Sequence, residues 1–422
     1  MTRMHLTDYE NNMRAGALGE APRLALEMLI SLGDALGVKR MVSVAQVQTD
    51  SGFYQGDAGL EFVEKIADMG ARVAVPTTIN AAAVDLRRGH EYGVPNAVCE
   101  KCKRLEWAHQ KMGAIPTWTC APYQDGLTPR FGDAIAASES NAIAFANSII
   151  GARTNRVGDL MDICAAITGR FPEYGLYLPE NRRARICVRL NSFSEESLRS
   201  SLYYPLLGYH LGARLGTRIA AVEGLPTDIG VDRLKDLCAA LASSGPVALI
   251  HLAGITPEAQ TPEMYSEAPT TLEELTVSAN DLVQAEEDLW TTSTDAVDWV
   301  AFGCPHFSLR ECLRLHQQLD GRRVSGNVAV TVFTSRSILQ WLENMGLADQ
   351  LRSSGVSLFT DGCLLGYPQD GSGINVMISN SAKAANYVYS QSGCQAAIGS
   401  IADCVESAVA GNIVKRKSPW IK

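Results

Sequence analysis

The chain has 422 residues, of which 46% are hydrophobic and 20% charged, with a net charge of −9 and a pI near 5.4. One hydrophobic core rarely organises such a length, so two or three lobes are expected, with a division at roughly 1–205 and 206–422. The acidic balance excludes a surface built to neutralise phosphates and disfavours nucleic-acid binding. No apolar run is long enough for a bilayer span, and the polar start MTRMHLTDYENNMRAG lacks the apolar core of a secretory signal. Eleven cysteines scattered without a disulfide rhythm suit reduced thiols in a cytoplasmic enzyme.

In chain order, residues 20–37 predict an amphipathic helix, with Leu24, Met28, Leu32 and Leu36 at i, i+4 spacing, Pro22 near its start and Gly37 at its end. RMVSVAQVQ (40–48) predicts a strand that empties into Asp50-Ser51-Gly52. A helix around 59–67 follows, then a strand at ARVAVPTT (71–78) ending at Thr77, Thr78 and Asn80. The pattern of strand, polar strand end and helix predicts an α/β fold with largely parallel sheets flanked by helices. RICVRLN (185–191), RIAAVEG (218–224), PVALIHLAGI (246–255), DWVAFGCPHFS (298–308), NVAVTVFTS (327–335), VSLFTDGC (356–363) and INVMISNSAK (374–383) continue it. Residues 256–297, rich in Thr, Glu and Pro, predict loop and exposed helix, a candidate inter-lobe connection.

Chemistry concentrates in the stretch Pro116–Arg156. A short β-like piece ends in Cys120, a Gly/Pro-punctuated loop follows, and an Ala-rich helix starts at Glu139, Ser140 and Asn141. The stretch closes on Arg153, Asn155 and Arg156. A thiol beside anion-binding cations points to a metal or cluster that handles an acidic substrate. In parallel α/β sheets ligands bind beyond the carboxyl ends of strands. Cys120, Cys304 and Cys363 all fall at such predicted ends, and three thiolates suit an iron–sulfur cluster or a single iron with one position open for substrate.

The remaining cysteines read as small core residues. Cys99 and Cys102 form CEKC, but no second CxxC completes a zinc site. His306, two residues after Cys304, is a candidate near the site, whereas His251 inside a strand pattern reads as a core histidine. No Walker A loop or GxSxG elbow is present, and Gly-Ser-Gly at 371–373 lacks the rest of a dinucleotide fingerprint.

The motifs PTWTCAPYQ (116–124), ASESNAIAFANSIIGARTNR (137–156), DICAAITGR (162–170), GCPHFS (303–308) and NSAKAANY (380–387) resemble aconitase X, as do DSGFYQGDAGLEF (50–62) and ARVAVPTTIN (71–80). The resemblance runs from about Leu6 to the C-terminus. It implies a hydro-lyase with an aconitase-like, multi-lobed body and an active site in the crevice between lobes. It also implies an iron centre, 2Fe–2S, 4Fe–4S or mononuclear, held by Cys120, Cys304 and Cys363. The family has a small swivelling domain, fused or separate; its absence here implies a small partner subunit. Two substrates occur in the family. The DSGFYQG and TWTCAPYQ wording leans to cis-3-hydroxy-L-proline, dehydrated to a pyrroline-2-carboxylate, with 5-phosphomevalonate as the alternative. A non-enzymatic iron sensor or RNA-binding regulator needs a basic face that this chain lacks.

Dehydration of a 3-hydroxy acid needs a base for the proton alpha to the carboxylate, and Glu139, Asp50 or a serine of the partner are candidates. Arg153, Asn155, Arg156 and Lys383 are candidates to clamp the carboxylate, with Ser381 binding it at a helix start. Asp50, Ser51, Gly52, Thr78 and Asn80 are expected to wall the substrate ring, with Asp50 pairing the ammonium; Ser140, Asn141 and His306 complete the substrate-binding set.

Overall fold

The computed structural model describes residues 4–367, 373–416 and 418–420, so the Gly-Ser-Gly segment begins outside the described residues. The chain divides into two compact units, Met1–Arg183 and Ala184–Lys422. None of the described helices is long and apolar enough to cross a membrane.

The first unit carries β1 (Met41–Ser43), β2 (Gln46–Thr49), β3 (Thr77–Ile79), β4 (Ile135–Ala137) and β5 (Arg170–Pro172). Its central sheet is parallel, in the order β3-β2-β4, while β1 pairs antiparallel with β5. The predicted strand at 40–48 is therefore two strands in two sheets. Between them Val44 donates its N–H to Gly169 and Ala45 to Ala134, so the backbone changes partner within two residues. Of the predicted strand at 71–78 only the end joins the ladder; Val73 and Ala74 instead donate to Met112 and Ala166. The helix Glu20–Ala35 forms as expected, but its buried face is Ala21, Ala25, Leu26, Leu29 and Ile30. The row from Leu24 to Leu36 lies on the flank of that face, and Leu36 is exposed. The period was legible there; the phase was not, because Ala21 and Ala25 share the fully buried face with Leu26 and Leu29 and turn it away from the Leu24 row.

The second unit carries β6 (Ile186–Leu190), β7 (Ala220–Glu223), β8 (His251–Leu252), β9 (Glu273–Val277), β10 (Trp299–Phe307), β11 (Ala329–Thr334), β12 (Val356–Thr360), β13 (Val376–Ser379) and β14 (Gln395–Ile398). They form two all-parallel sheets, ordered β8-β7-β6-β9 and β12-β11-β10-β13-β14. β10 is buried along its whole length, as a central parallel strand covered on both faces must be. The stretch 256–297 is more regular than expected: β9 adds an edge to the first sheet, and the helix Ala279–Asp288 buries Leu282 and Ala285. Parallel pairing puts the carboxyl ends of all the strands in a sheet on one side, and this is what gathers the polar residues in each unit.

Candidate active site

In the first unit the ends of β2, β3 and β4 present Asp50, Asn80 and Glu139. The Asn80 amide Nδ2 donates to Asp50 Oδ1 and, at 3.1 Å, to Glu139 Oε2. The other oxygen of Glu139 accepts the Asn141 N–H at 3.0 Å and the Ser140 hydroxyl at 2.9 Å, so Glu139 is also the N-cap of the helix Ser140–Phe145. Burial, and then the neighbouring Glu139, push the Asp50 carboxyl up to about 8. Asp50 thus holds a proton at neutral pH rather than standing as the anion expected from sequence.

Asp162, which sequence reasoning passed over, holds this arrangement together. Its fully buried carboxylate accepts the Asp50 N–H at 2.6 Å and the Ser138 hydroxyl at 2.9 Å, tying the end of β2 to the end of β4. Burial raises it to about 6. An acidic residue opening the apolar run DICAAIT was the available signal, since buried carboxylates need partners.

The other predicted residues of this unit divide by what their polar atoms already do. Asn141 donates to the Cys120 carbonyl at 2.6 Å and accepts the Tyr123 hydroxyl at 2.7 Å, which makes it the anchor of the Cys120 loop. Asn155 is spent on backbone: it donates to Tyr174 O at 2.9 Å and accepts Leu176 N–H at 2.8 Å. Thr78 lies buried within β3. Gly52 is required, because a Cβ there would meet Ile79 at 2.6 Å and Trp118 at 2.9 Å. Arg153 and Arg156 pair by backbone with Ala134 and Ala137. Arg153 is half-buried, and its Nε has no hydrogen-bond partner among the described residues. Cys120 itself is buried; the run before it forms one bridge, Ile115 with Thr78, rather than the short strand expected.

In the second unit Cys363 follows β12, and Cys304 lies in β10 beyond the point where the regular ladder stops at Phe302. Gly303 makes that departure possible, with φ of 98° and the Phe333 carbonyl oxygen 2.0 Å from any added Cβ. His306 Nε2 donates to Gly362 O at 3.1 Å. Arg336, unnoticed in the sequence, grips Asp361 with two hydrogen bonds, one of 2.7 Å. Buried Lys235 pairs with buried Glu311 and donates to His306 O at 3.1 Å. Ser381 donates to the Cys304 carbonyl and caps its helix by accepting Ala384 N–H, so its hydroxyl is committed to the protein. Lys383 is buried on the first turn of that helix, 5.9 Å from the Tyr387 ring centroid.

None of the eleven cysteines is in a disulfide. Burial pushes Cys102 and Cys164 up to about 12, which keeps those thiols protonated at neutral pH. Among the described residues no group of three His, Cys, Asp or Glu stands in metal-holding geometry. Cys120 belongs to the first unit and Cys304 and Cys363 to the second.

Family models of aconitase X match along the chain: the first domain at residues 3–180, the second at 184–287 and the third at 297–410. A protein from Pseudomonas aeruginosa named cis-3-hydroxy-L-proline dehydratase is 38% identical over 99% of this chain and 72% of its own length. A phosphomevalonate dehydratase large subunit from Methanothermobacter thermautotrophicus is 38% identical over 93% of this chain and 96% of its own length. The crystal structure of aconitase X from Thermococcus kodakaraensis, described as a holo form, superposes with a TM-score of 0.85 at 33% identity, covering 96% of this chain and all of that one. The α/β fold and these relatives define a hydro-lyase. The chain belongs to the aconitase X family.

Proposed function

We propose that the chain dehydrates cis-3-hydroxy-L-proline. The observation that carries this reading is the gathering of acidic side chains at the first unit's strand ends: Asp50, protonated through burial and then the nearby Glu139, with Glu139, Asp159 and Asp162 around it. A small zwitterion with a ring ammonium is attracted there, whereas a phosphate is repelled. The Pseudomonas relative and a Hypocrea jecorina relative, 35% identical over 97% of this chain, carry that name. The second reading, 5-phosphomevalonate, is favoured by the near-complete coverage of the proteins named large subunits. That naming also supports a small partner subunit for this chain.

The reaction removes the proton on the carbon alpha to the carboxylate and breaks the bond from the next carbon to its hydroxyl. The Asp50–Glu139 pair is joined through Asn80: Asp50, near 8, carries a proton it can donate, and Glu139 is the member placed to take the substrate proton. Arg153, whose Nε is unsatisfied, and Lys383 suit the substrate carboxylate. Cys120, Cys304 and Cys363 would hold an iron or iron–sulfur centre. In donor chemistry the three thiols suit such a group: none is in a disulfide, and two of their segments are braced by Asn141 and by Ser381. Bound there, iron supplies Lewis-acid polarisation of the leaving hydroxyl.

The deciding experiment is an anaerobic assay of the iron-loaded chain, with and without a small partner, on both substrates. Turnover of cis-3-hydroxy-L-proline is expected. A preference for 5-phosphomevalonate would overturn the assignment and leave the hydro-lyase class standing.

A further inference from the structure

Ser51, at the end of β2, sits in a closed chain of buried hydrogen bonds. His109, on the helix Asn96–Met112, has Nδ1 at 2.8 Å from the Leu105 carbonyl oxygen. A carbonyl can only accept, so Nδ1 carries the hydrogen. The ring is fully buried, edge-on to Trp118 at 73°, and burial pushes it down to about 4. The imidazole is therefore neutral, and its Nε2, 3.1 Å from Ser51 Oγ, is a bare acceptor. Among the described residues the Ser51 hydroxyl is the donor at that nitrogen, and a buried acceptor left unpaired is costly, so Ser51 gives its hydrogen there. On its other side the hydroxyl of Thr49 lies against Ser51 Oγ, while Thr49 Oγ1 accepts the Ser51 N–H at 3.2 Å. Thr49 consequently donates to Ser51. One lone pair remains on Ser51 Oγ, and no hydrogen.

Ser51 lines a cavity of about 300 Å³ with Tyr54, Gln55, Leu105 and Asp159. Ser51 follows Asp50 directly in the chain, so this cavity opens beside the end of β2 that carries the carboxylate cluster. A serine hydroxyl usually serves anions and cations alike because it can turn its hydrogen to either. This one cannot. We propose that Ser51 is a specificity determinant that offers a ligand only an acceptor, and that His109 is the positioning residue that imposes this. The pair selects a ring N–H or ammonium and turns away carboxylate and phosphate oxygens. The inference deepens the hydroxyproline reading and rests on it.

The test compares binding of L-proline with that of cyclopentanecarboxylate, its analogue without nitrogen, to the iron-loaded full chain by calorimetry. The wild-type chain is expected to favour L-proline. In His109→Phe the hydroxyl is freed to rotate, and the preference should fall about tenfold, the scale of one hydrogen bond to a charged group. The KM for hydroxyproline should rise in parallel while kcat changes by less than about threefold. His109→Gln, which can again offer an acceptor, should restore most of the preference. A folded His109→Phe with the wild-type preference overturns the inference alone, provided the wild-type chain discriminates. Equal binding of the two ligands by the wild-type chain overturns both this inference and the hydroxyproline reading. If His109→Phe does not fold, Ser51→Ala decides: loss of the preference supports the role, and its retention ends it.

Discussion

The imidazole Nε2 of His306 donates to the carbonyl oxygen of Gly362 at 3.1 Å, tying β10 to the residue immediately before Cys363. The two cysteine-bearing segments of the second unit are thus joined by one side chain. The carbonyl of His306 is held in turn by the Lys235 ammonium at 3.1 Å. His306→Ala should leave the unit folded but loosen the Cys363 turn. An iron affinity about 10- to 100-fold weaker is expected, by analogy with outer partners of metal ligands. Anaerobic iron titration of the purified variant measures this, and an unchanged affinity would remove His306 from any supporting role.

Cys120→Ser, Cys304→Ser and Cys363→Ser should each abolish stable iron loading while the chain still unfolds cooperatively. Buried cysteines elsewhere are the control. Cys312 and Cys404 are fully buried, and their thiols are pushed upward by desolvation, so Cys312→Ala and Cys404→Ala should load iron normally. Full iron content in any one of the three serine variants would exclude that residue as a ligand.

Asp50 predicts an unusual pH dependence. Its carboxyl stands at about 8 in the folded chain against an ordinary value of 3.8. Between those values the folded chain binds a proton that the unfolded chain has released, so this group makes stability fall as pH rises from about 4 to about 8. Asp50→Asn removes the effect. Its melting temperature should match the wild type near pH 4 and exceed it by a margin that grows toward pH 9, reaching at least several degrees. Activity should drop about 100-fold or more, as for loss of a proton-transfer group, with iron content unchanged. Parallel melting profiles of the two proteins across this range would show that Asp50 is not held protonated.

The Lys235–Glu311 pair is wholly buried and is surrounded by Asp232, Ser308 and the His306 carbonyl. Glu311→Ala strands an ammonium in the interior and should cost about 3–5 kcal/mol, read by denaturant unfolding. Replacing both partners by apolar residues of similar size, Lys235→Met with Glu311→Leu, should recover much of that loss. If the single variant unfolds at the wild-type midpoint, the pair contributes nothing to the fold.

Local pattern was enough to reveal the architecture. Alternating strands and helices with polar strand ends dictate parallel sheets, and parallel sheets place strand ends together, which is why Asp50 and Asn80 stand out by position; Glu139 reads only as a helix start, because the three-residue strand Ile135–Ala137 before it leaves no strand pattern. Cys363 and Cys304 follow the same logic, the second only because Gly303 lets the chain leave the ladder of β10.

What the sequence by itself determined, then, is which residues arrive at the carboxyl ends of the strands, because periodicity and turn residues act over a few positions. Only the tertiary structure decided what each arriving side chain is free to do. Asn155, Asn141 and Ser381 look like ligand groups in a string of letters, yet their polar atoms are bonded to backbone 19, 21 and 77 positions away. Asp162 and His109 look like ordinary helix residues, yet they fix Asp50 and Ser51 from 112 and 58 positions away. Hydrogen-bond satisfaction and desolvation are set by whatever the fold brings into contact, and no local pattern encodes them.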